Sequence, residues 1–218
     1  MNYADGSSYY EQGNTKVLVG VFGPRESKQK GQVQTTEAGL VVEIGVSPFS
    51  TSERKKRSKN DKRLLELSSL IKQTFDPIIF KALYPRSSID IYIQVLQVDG
   101  GLLSASINAT CLAIINAGIP MIDYVVATTA GFVTGTDFGN ENGGVAILDL
   151  NGVEESSSFD NSVPSLTVAI LPRSKKLALV QMESKLSIDK LNFIMDMAIN
   201  GTSVVHSKLD ETIKNISL

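Results

Sequence analysis

The sequence predicts an α+β (mixed α/β) protein, and three observations carry that prediction. Branched apolar runs with strand-like spacing recur along the chain, stretches with helical spacing interrupt and follow them, and no segment is rich enough in Gly, Pro or Ser to act as a linker. At 218 residues the chain suits one domain, built as two lobes sharing a core and dividing near 1–121 and 122–218. Hydrophobic residues make up 42% and charged residues 20%. No apolar run reaches the roughly 18 residues of a spanning helix, so no membrane partner is expected. Met1 to Gly6 has neither a basic nor an apolar signal region, and a single cysteine, Cys111, excludes internal disulfides and suits a reducing compartment.

In chain order, Tyr9-Tyr10 open a strand that Gln12-Gly13-Asn14 interrupt, and Lys16 to Phe22 form a strand with a stop at Gly23-Pro24. Arg25 to Thr36 is a polar loop carrying Lys28 and Lys30, and Leu40 to Val46 is a strand closed by Ser47-Pro48. Asn60 or Asp61 caps a helix in which Leu64, Leu65, Leu67, Leu70, Ile71 and Phe75 recur at helical spacing, ending before Pro77. Ile78 to Tyr84 is a short apolar helix or connector, and Ser88 to Val98 alternates as a strand with one face in the core.

Asp99-Gly100-Gly101 then turns the chain into a helix from Ser104 to Asn116 that stops at Gly118, before Pro120. Its Ala and Ser content lets neighbouring backbones approach closely, which predicts burial between layers, with Cys111 an inert core residue. Tyr124 to Val133 and Gly144 to Leu150 are strand-like, and Asn151 to Ser165 is a polar loop. Leu166 to Leu171 and Leu177 to Met182 form a hairpin, and an amphipathic helix runs from Ser187 to Ile216 with a break near Gly201.

Net charge is −2, which argues against a protein that coats nucleic acid non-specifically. The distribution is uneven: seven of the 21 Lys and Arg residues lie between Arg54 and Arg63, against one acid, Asp61. That run reads either as a solvated loop or as an anion-binding surface. One Cys and one His exclude zinc fingers and His-based triads, and the Gly100-Gly101 and Gly143-Gly144 pairs make neither a dinucleotide fingerprint nor a P-loop. No metal or cofactor is expected. A strand, a glycine turn and a helix N-terminus, as at Val98 to Ser104, do form a cradle for phosphate, because the first N–H groups of the helix and its dipole both attract an anion.

A set of short motifs occurs in consistent order: Ala4-Asp5-Gly6-Ser7, Gly23-Pro24-Arg25-Glu26, Pro48-Phe49-Ser50, Tyr84-Pro85-Arg86-Ser87-Ser88, Leu96-Gln97-Val98-Asp99-Gly100-Gly101 and Ala117-Gly118-Ile119-Pro120-Met121. Together they resemble the ribonuclease PH family over nearly the whole chain. The resemblance implies a β-α-β-α lobe duplicated within one subunit, with mixed sheets and packed helices, and a six-membered ring around an RNA channel. Within the family it points to the ring of the RNA exosome. The implied partners are other ribonuclease PH-like ring subunits, cap proteins, a hydrolytic exosome nuclease and RNA, in the nucleus, nucleolus and cytoplasm. The family's usual N-terminal segment, with an Arg-x-Asp-Gly-Arg motif, does not precede Ala4, so a strand edge it would cover is expected to be open.

Active members of the family cut RNA by phosphorolysis, which needs a held phosphate, opposing positive charge and an acidic pair. Where those members follow the glycine turn with Ser or Thr and often Arg, this sequence has Leu102 and Leu103 after Gly100 and Gly101. Their catalytic carboxylates fall here near Ser156 and Ser165; Glu154, Glu155 and Asp160 read as a solvated acidic loop. Lys62-Arg63 matches paired arginines that bind phosphate and the RNA backbone in archaeal members, with Glu66 in register, and Lys28 and Lys30 match a loop at the channel entrance. These four, with Arg54, Lys55, Lys56 and Arg57, are the candidate RNA-binding residues. The expectation is a ring subunit without catalysis; the alternatives are an active phosphorolytic exoribonuclease with displaced acids, or a stand-alone RNA-binding module.

Overall fold

Strands β1 (Gly6–Gln12) and β2 (Thr15–Glu26) pair antiparallel through the two-residue turn Gly13-Asn14, where Gly13 takes φ +55°. A left-handed φ is what such a hairpin turn demands, and glycine meets it without a Cβ clash. The computed structural model describes residues 1–26, 36–51, 54, 61–133, 144–155 and 163–216. Lys28, Lys30, Lys55, Lys56, Arg57, Ser156 and Asp160 lie outside the described residues.

Alternation along β2 sends Val17, Val19 and Val21 inward, all fully buried. Against it lies β4 (Ser87–Gln97), antiparallel, with Ile89, Ile91, Ile93 and Val95 on the same inner face. On the far side of β4, β3 (Gly39–Val46) pairs parallel, so the first sheet is mixed, in the order β1-β2-β4-β3. Parallel neighbours need a crossover, and α1 (Lys62–Phe75) supplies it, burying Ile71, Thr74 and Phe75 and leaving Leu65 exposed. The second sheet, β5 (Val126–Val133), β6 (Val145–Leu148), β7 (Ser165–Leu171) and β8 (Lys176–Met182), is antiparallel throughout, in the order β6-β5-β7-β8.

Helix α2 (Leu102–Asn116) lies between the two sheets, against β1 and β2 on one side and β5 and β7 on the other. The small residues make this possible: a Cβ added at Gly6 of β1 would stand 2.3 Å from the Ala113 carbonyl of α2. Asn108, fully buried, bonds the two layers, donating from Nδ2 to the Ala127 carbonyl (2.9 Å) and accepting from the Ala127 N–H at Oδ1 (2.8 Å). Cys111 is buried beside it; desolvation pushes its thiol up to about 12, so it stays protonated and inert.

Three expectations need correction. The second strand does not stop at Gly23-Pro24. The ladder slips between Phe22 and Arg25, leaving Gly23 and Pro24 without ladder partners on β4, and resumes with Arg25 opposite Ser88 and Glu26 opposite Ser87. A proline without an N–H is tolerated at such a bulge. Helix α2 begins at Leu102 rather than Ser104, because Gly101 takes a left-handed N-cap conformation at φ +56°. The final helix α4 (Ile188–Ile216) runs unbroken through Gly201. There an added Cβ would lie 3.1 Å from the Leu148 methyls, so the glycine lets α4 settle on β6 rather than ending the helix. No described helix is long and apolar enough to cross a membrane.

Candidate functional site: a cleft at the start of helix α2

Both helices that begin in this region point their first turns into one cleft of about 520 Å3. Asp61 caps α1, its Oδ1 accepting the Arg63 N–H at 3.1 Å, and so fixes the turn that carries Arg63 to the cleft wall. Lys62 is exposed on the same turn without lining the cleft, and Arg54 is exposed. The glycine turn is held from below: Thr15 Oγ1 donates to the Gly100 carbonyl at 2.7 Å and accepts the Asp99 N–H at 2.9 Å. Gly101, Leu102 and Leu103 then form one wall, with Leu103 nearly buried.

The opposite wall comes from the second half of the chain: Glu155 from the short helix α3 (Gly152–Glu155), Ser165 and Thr167 from β7, and Gln181, Glu183 and Ser184 at the end of β8. Hydroxyls link the walls. Thr129 Oγ1 lies 3.1 Å from both Ser104 Oγ and Thr167 Oγ1, and Ser104 Oγ donates to the Gly101 carbonyl at 2.8 Å.

The acidic side of the site comes from the second half of the chain. Ser165 lines the cleft, and Glu155, exposed at the end of the short helix α3, lines it as well. The residue is exposed, yet the protein atoms around its carboxyl raise its pKa by desolvation. The Gly101 N–H works in the opposite direction, and the charge of Glu183 adds to the rise. Glu183, Thr167 and Gln181 had no signal in their own neighbourhood of the sequence. The hairpin register Leu166 to Met182 extends to bring Glu183 opposite Ser165, and that register could have found it.

The raised pKa has a consequence for stability. A folded state that holds the Glu155 proton more tightly than the unfolded chain gains stability at acid pH and loses it as pH rises through the raised value. Glu155→Gln keeps the shape of the side chain and removes the charge. Its melting temperature should exceed that of the parent at neutral pH and converge with it in acid; a variant less stable at neutral pH would refute the assignment.

Among the described lining residues, one cation, Arg63, shares the cleft with two carboxylates, Glu155 and Glu183. No cluster of three or more His, Cys, Asp or Glu side chains that could hold a metal ion occurs among the described residues. A larger cavity, about 1050 Å3, lies at the other end of α2, between the hairpin of β7 and β8 and helix α4. Its one carboxylate, Asp123, is spent on the N–H groups of Tyr124 and Arg173, both at 2.8 Å, so the smaller cleft is the chemical site.

Sequence models of the two domains of one family match this chain: "3′ exoribonuclease family, domain 1" over residues 1–120 and "3′ exoribonuclease family, domain 2" over residues 123–201. The chain belongs to the ribonuclease PH family of 3′ exoribonucleases. Family relatives include exosome complex component RRP41 of Homo sapiens, 42% identical over 97% of this chain and 81% of that protein. Exosome complex component SKI6 of Saccharomyces cerevisiae is 37% identical over 97% of this chain and 80% of that protein. Exosome complex component Rrp41 of the archaeon Thermococcus onnurineus is 39% identical over 97% and 79%. Among solved structures of the family's fold, rice (Oryza sativa) Rrp46 superposes with TM-score 0.81 at 25% identity, covering 98% of this chain and 91% of that one. The Archaeoglobus fulgidus exosome with RNA bound to the active site superposes with TM-score 0.76 over 95% of this chain and 84% of that one; at 19% identity the likeness is one of fold.

Proposed function

We propose that this chain is a non-catalytic ring subunit of an RNA exosome. It packs with other ribonuclease PH-like subunits beneath cap proteins and lines the channel through which RNA 3′ ends pass to a hydrolytic nuclease. Its surroundings are the nucleus, nucleolus and cytoplasm. The names of its relatives support membership of the assembly. One observation carries the absence of catalysis: the start of α2 presents the apolar Leu102 and Leu103 to the cleft, and the Glu155 carboxyl lines the same cleft.

The magnitudes favour exclusion of phosphate. A helix N-terminus offers an anion about 0.3–1 kcal/mol, whereas two like unit charges about 4 Å apart near a protein surface repel by about 4 kcal/mol. Ser165 cannot donate a proton or bind a cation as a carboxyl group can. RNA contact falls to the exposed basic start of α1, with Lys62 and Arg63 touching the backbone, and to Lys28, Lys30, Arg54, Lys55, Lys56 and Arg57; such contacts position a strand without reading it.

Mass measurement of the native complex tests membership: ring partners at fixed stoichiometry are expected, and a monomer with tight RNA affinity would favour a stand-alone RNA-binding module. Charge reversal at Lys62 and Arg63 together should weaken RNA protection by the reconstituted complex by about tenfold or more, with assembly intact, as several lost phosphate contacts would. Unchanged protection would remove these residues from the channel. The second reading, phosphorolysis, draws on Glu155 and Glu183 sharing a cleft with Arg63.

A further inference from the structure

We propose that the cavity of about 1050 Å3 between the β7–β8 hairpin and α4 is a docking pocket for a segment of a neighbouring subunit, one that inserts an apolar side chain and sets a carboxylate against Arg173 and Lys175. The inference rests on the reading of the chain as a ring subunit and names the chemistry of one contact within that assembly.

The floor of the pocket is apolar because several elements turn core residues toward it. Ile119 and Met121 follow α2, Ile170 belongs to β7, and Leu177 lies at the start of β8. Ile119 and Ile170 are buried, but the rim is open: Ile122 is 55% exposed, Leu177 48% and Ile199 37%. Three aliphatic side chains left in water around one opening form a surface that gains by being covered. The volume suits a short segment with an anchoring side chain.

The charge at the mouth is one-sided and held in place. Arg173 and Lys175 are exposed at the hairpin tip, and neither forms an ion pair with a described residue. Asp123 is the one carboxylate among the described lining residues, and both its oxygens are engaged. Its Oδ1 accepts the Tyr124 N–H and its Oδ2 the Arg173 N–H, each at 2.8 Å. Because Asp123 lies between α2 and β5, the second bond ties the hairpin tip across to that connection. The Lys175 N–H closes the tip on the Leu171 carbonyl at 2.8 Å, with Lys175 at φ +54°. Glycine or asparagine suits that left-handed region; lysine carries a charge to the mouth at a conformational cost.

Two cations thus stand at set places beside an apolar opening, which favours a partner that brings both an apolar side chain and an anion. RNA fits less well. The aliphatic rim offers bases no ring to stack on, and the two rings that line the pocket, Tyr124 and His206, pack against each other with centroids 5.7 Å apart.

The test places the photo-crosslinking residue p-benzoylphenylalanine at Leu177 in the assembled complex and identifies the captured peptide by mass spectrometry. Capture of a segment of another subunit with Asp or Glu beside an apolar side chain is expected. Capture of RNA, of a second copy of this chain or of a segment without a carboxylate overturns the proposal, as does the absence of capture in an intact complex. In parallel, Arg173→Glu with Lys175→Glu should weaken assembly by about tenfold or more at low salt, with the deficit shrinking as salt rises. The neutral pair Arg173→Gln with Lys175→Gln should fall between that variant and the parent. Equal assembly of parent and charge-reversed chains at low salt overturns the proposal; should the reversed chain fail to fold, the neutral pair decides by the same comparison. Native mass separates the two readings. A monomer removes ring membership and the neighbour with it, whereas an intact ring with the wrong capture, or none, removes the pocket alone.

Discussion

Asn108→Ala is expected to destabilise the chain by about 2–5 kcal/mol, because the substitution leaves the N–H and the carbonyl of Ala127 buried without partners, at about 1–3 kcal/mol each. For a chain of this length that corresponds to a fall of about 5–15 °C in melting temperature. Asn108 is fully buried and makes both bonds to Ala127, at 2.8 and 2.9 Å, as well as one from Nδ2 to the Tyr10 hydroxyl at 3.2 Å. It therefore joins α2 to β5 in the second half and to β1 in the first. Water cannot replace it in a helix packed between sheets, so the full desolvation penalty should register. Thermal and denaturant unfolding measure the effect. A loss below about 1 kcal/mol would mean that Ala127 finds other partners and that α2 is not bonded to β5 through Asn108.

Gly100→Ala is the second large effect, expected at about 2–4 kcal/mol. Two causes act together. Gly100 has φ +86°, a region where a side chain is strained, and the added methyl would lie 2.2 Å from the Leu150 carbonyl and 2.8 Å from the Asn151 carbonyl carbon. Both obstacles are backbone, so relief requires the Leu150–Asn151 segment to move away from the turn. Because that segment leads into α3, the substitution should also displace the turn that carries Glu155. Gly118→Ala, at φ +69° but with nothing within 4 Å of an added Cβ, isolates the conformational part and should cost about 1–2 kcal/mol. Equal losses at the two positions would contradict the close approach at Gly100.

Local periodicity made the elements readable, and long-range partners account for what it missed. Val17, Val19 and Val21 alternate inward as their spacing demands, and the Leu and Ile residues at 67, 70 and 71 mark the inner side of α1, because each pattern is set by neighbours a few residues away. The continuation of β2 past Pro24 depends on Ser87 and Ser88, more than 60 residues on, whose backbone supplies the ladder. Gly201 looked like a break because helical glycine weakens a helix; here the Leu148 side chain requires its absent Cβ.

The site divides the same way. Gly100, Gly101, Leu102 and Leu103 were legible as a cradle that lacks polar side chains, since turn, helix start and side chains are contiguous. That Glu155 lines the same cleft was not legible, because nothing local shows that α3 lies beside the start of α2. Glu183 reaches the cleft only through the hairpin of β7 and β8.

The central claim is that the cleft at the start of α2 does no phosphorolysis. The direct measurement follows release of nucleoside diphosphate from a 3′-labelled RNA by the assembled complex, with its hydrolytic nuclease inactivated and inorganic phosphate present. The account predicts no phosphate-dependent product above background, in the parent complex and in one carrying Glu155→Gln alike. Phosphate-dependent release of nucleoside diphosphate that disappears with Glu155→Gln would contradict it and make Glu155 a catalytic acid.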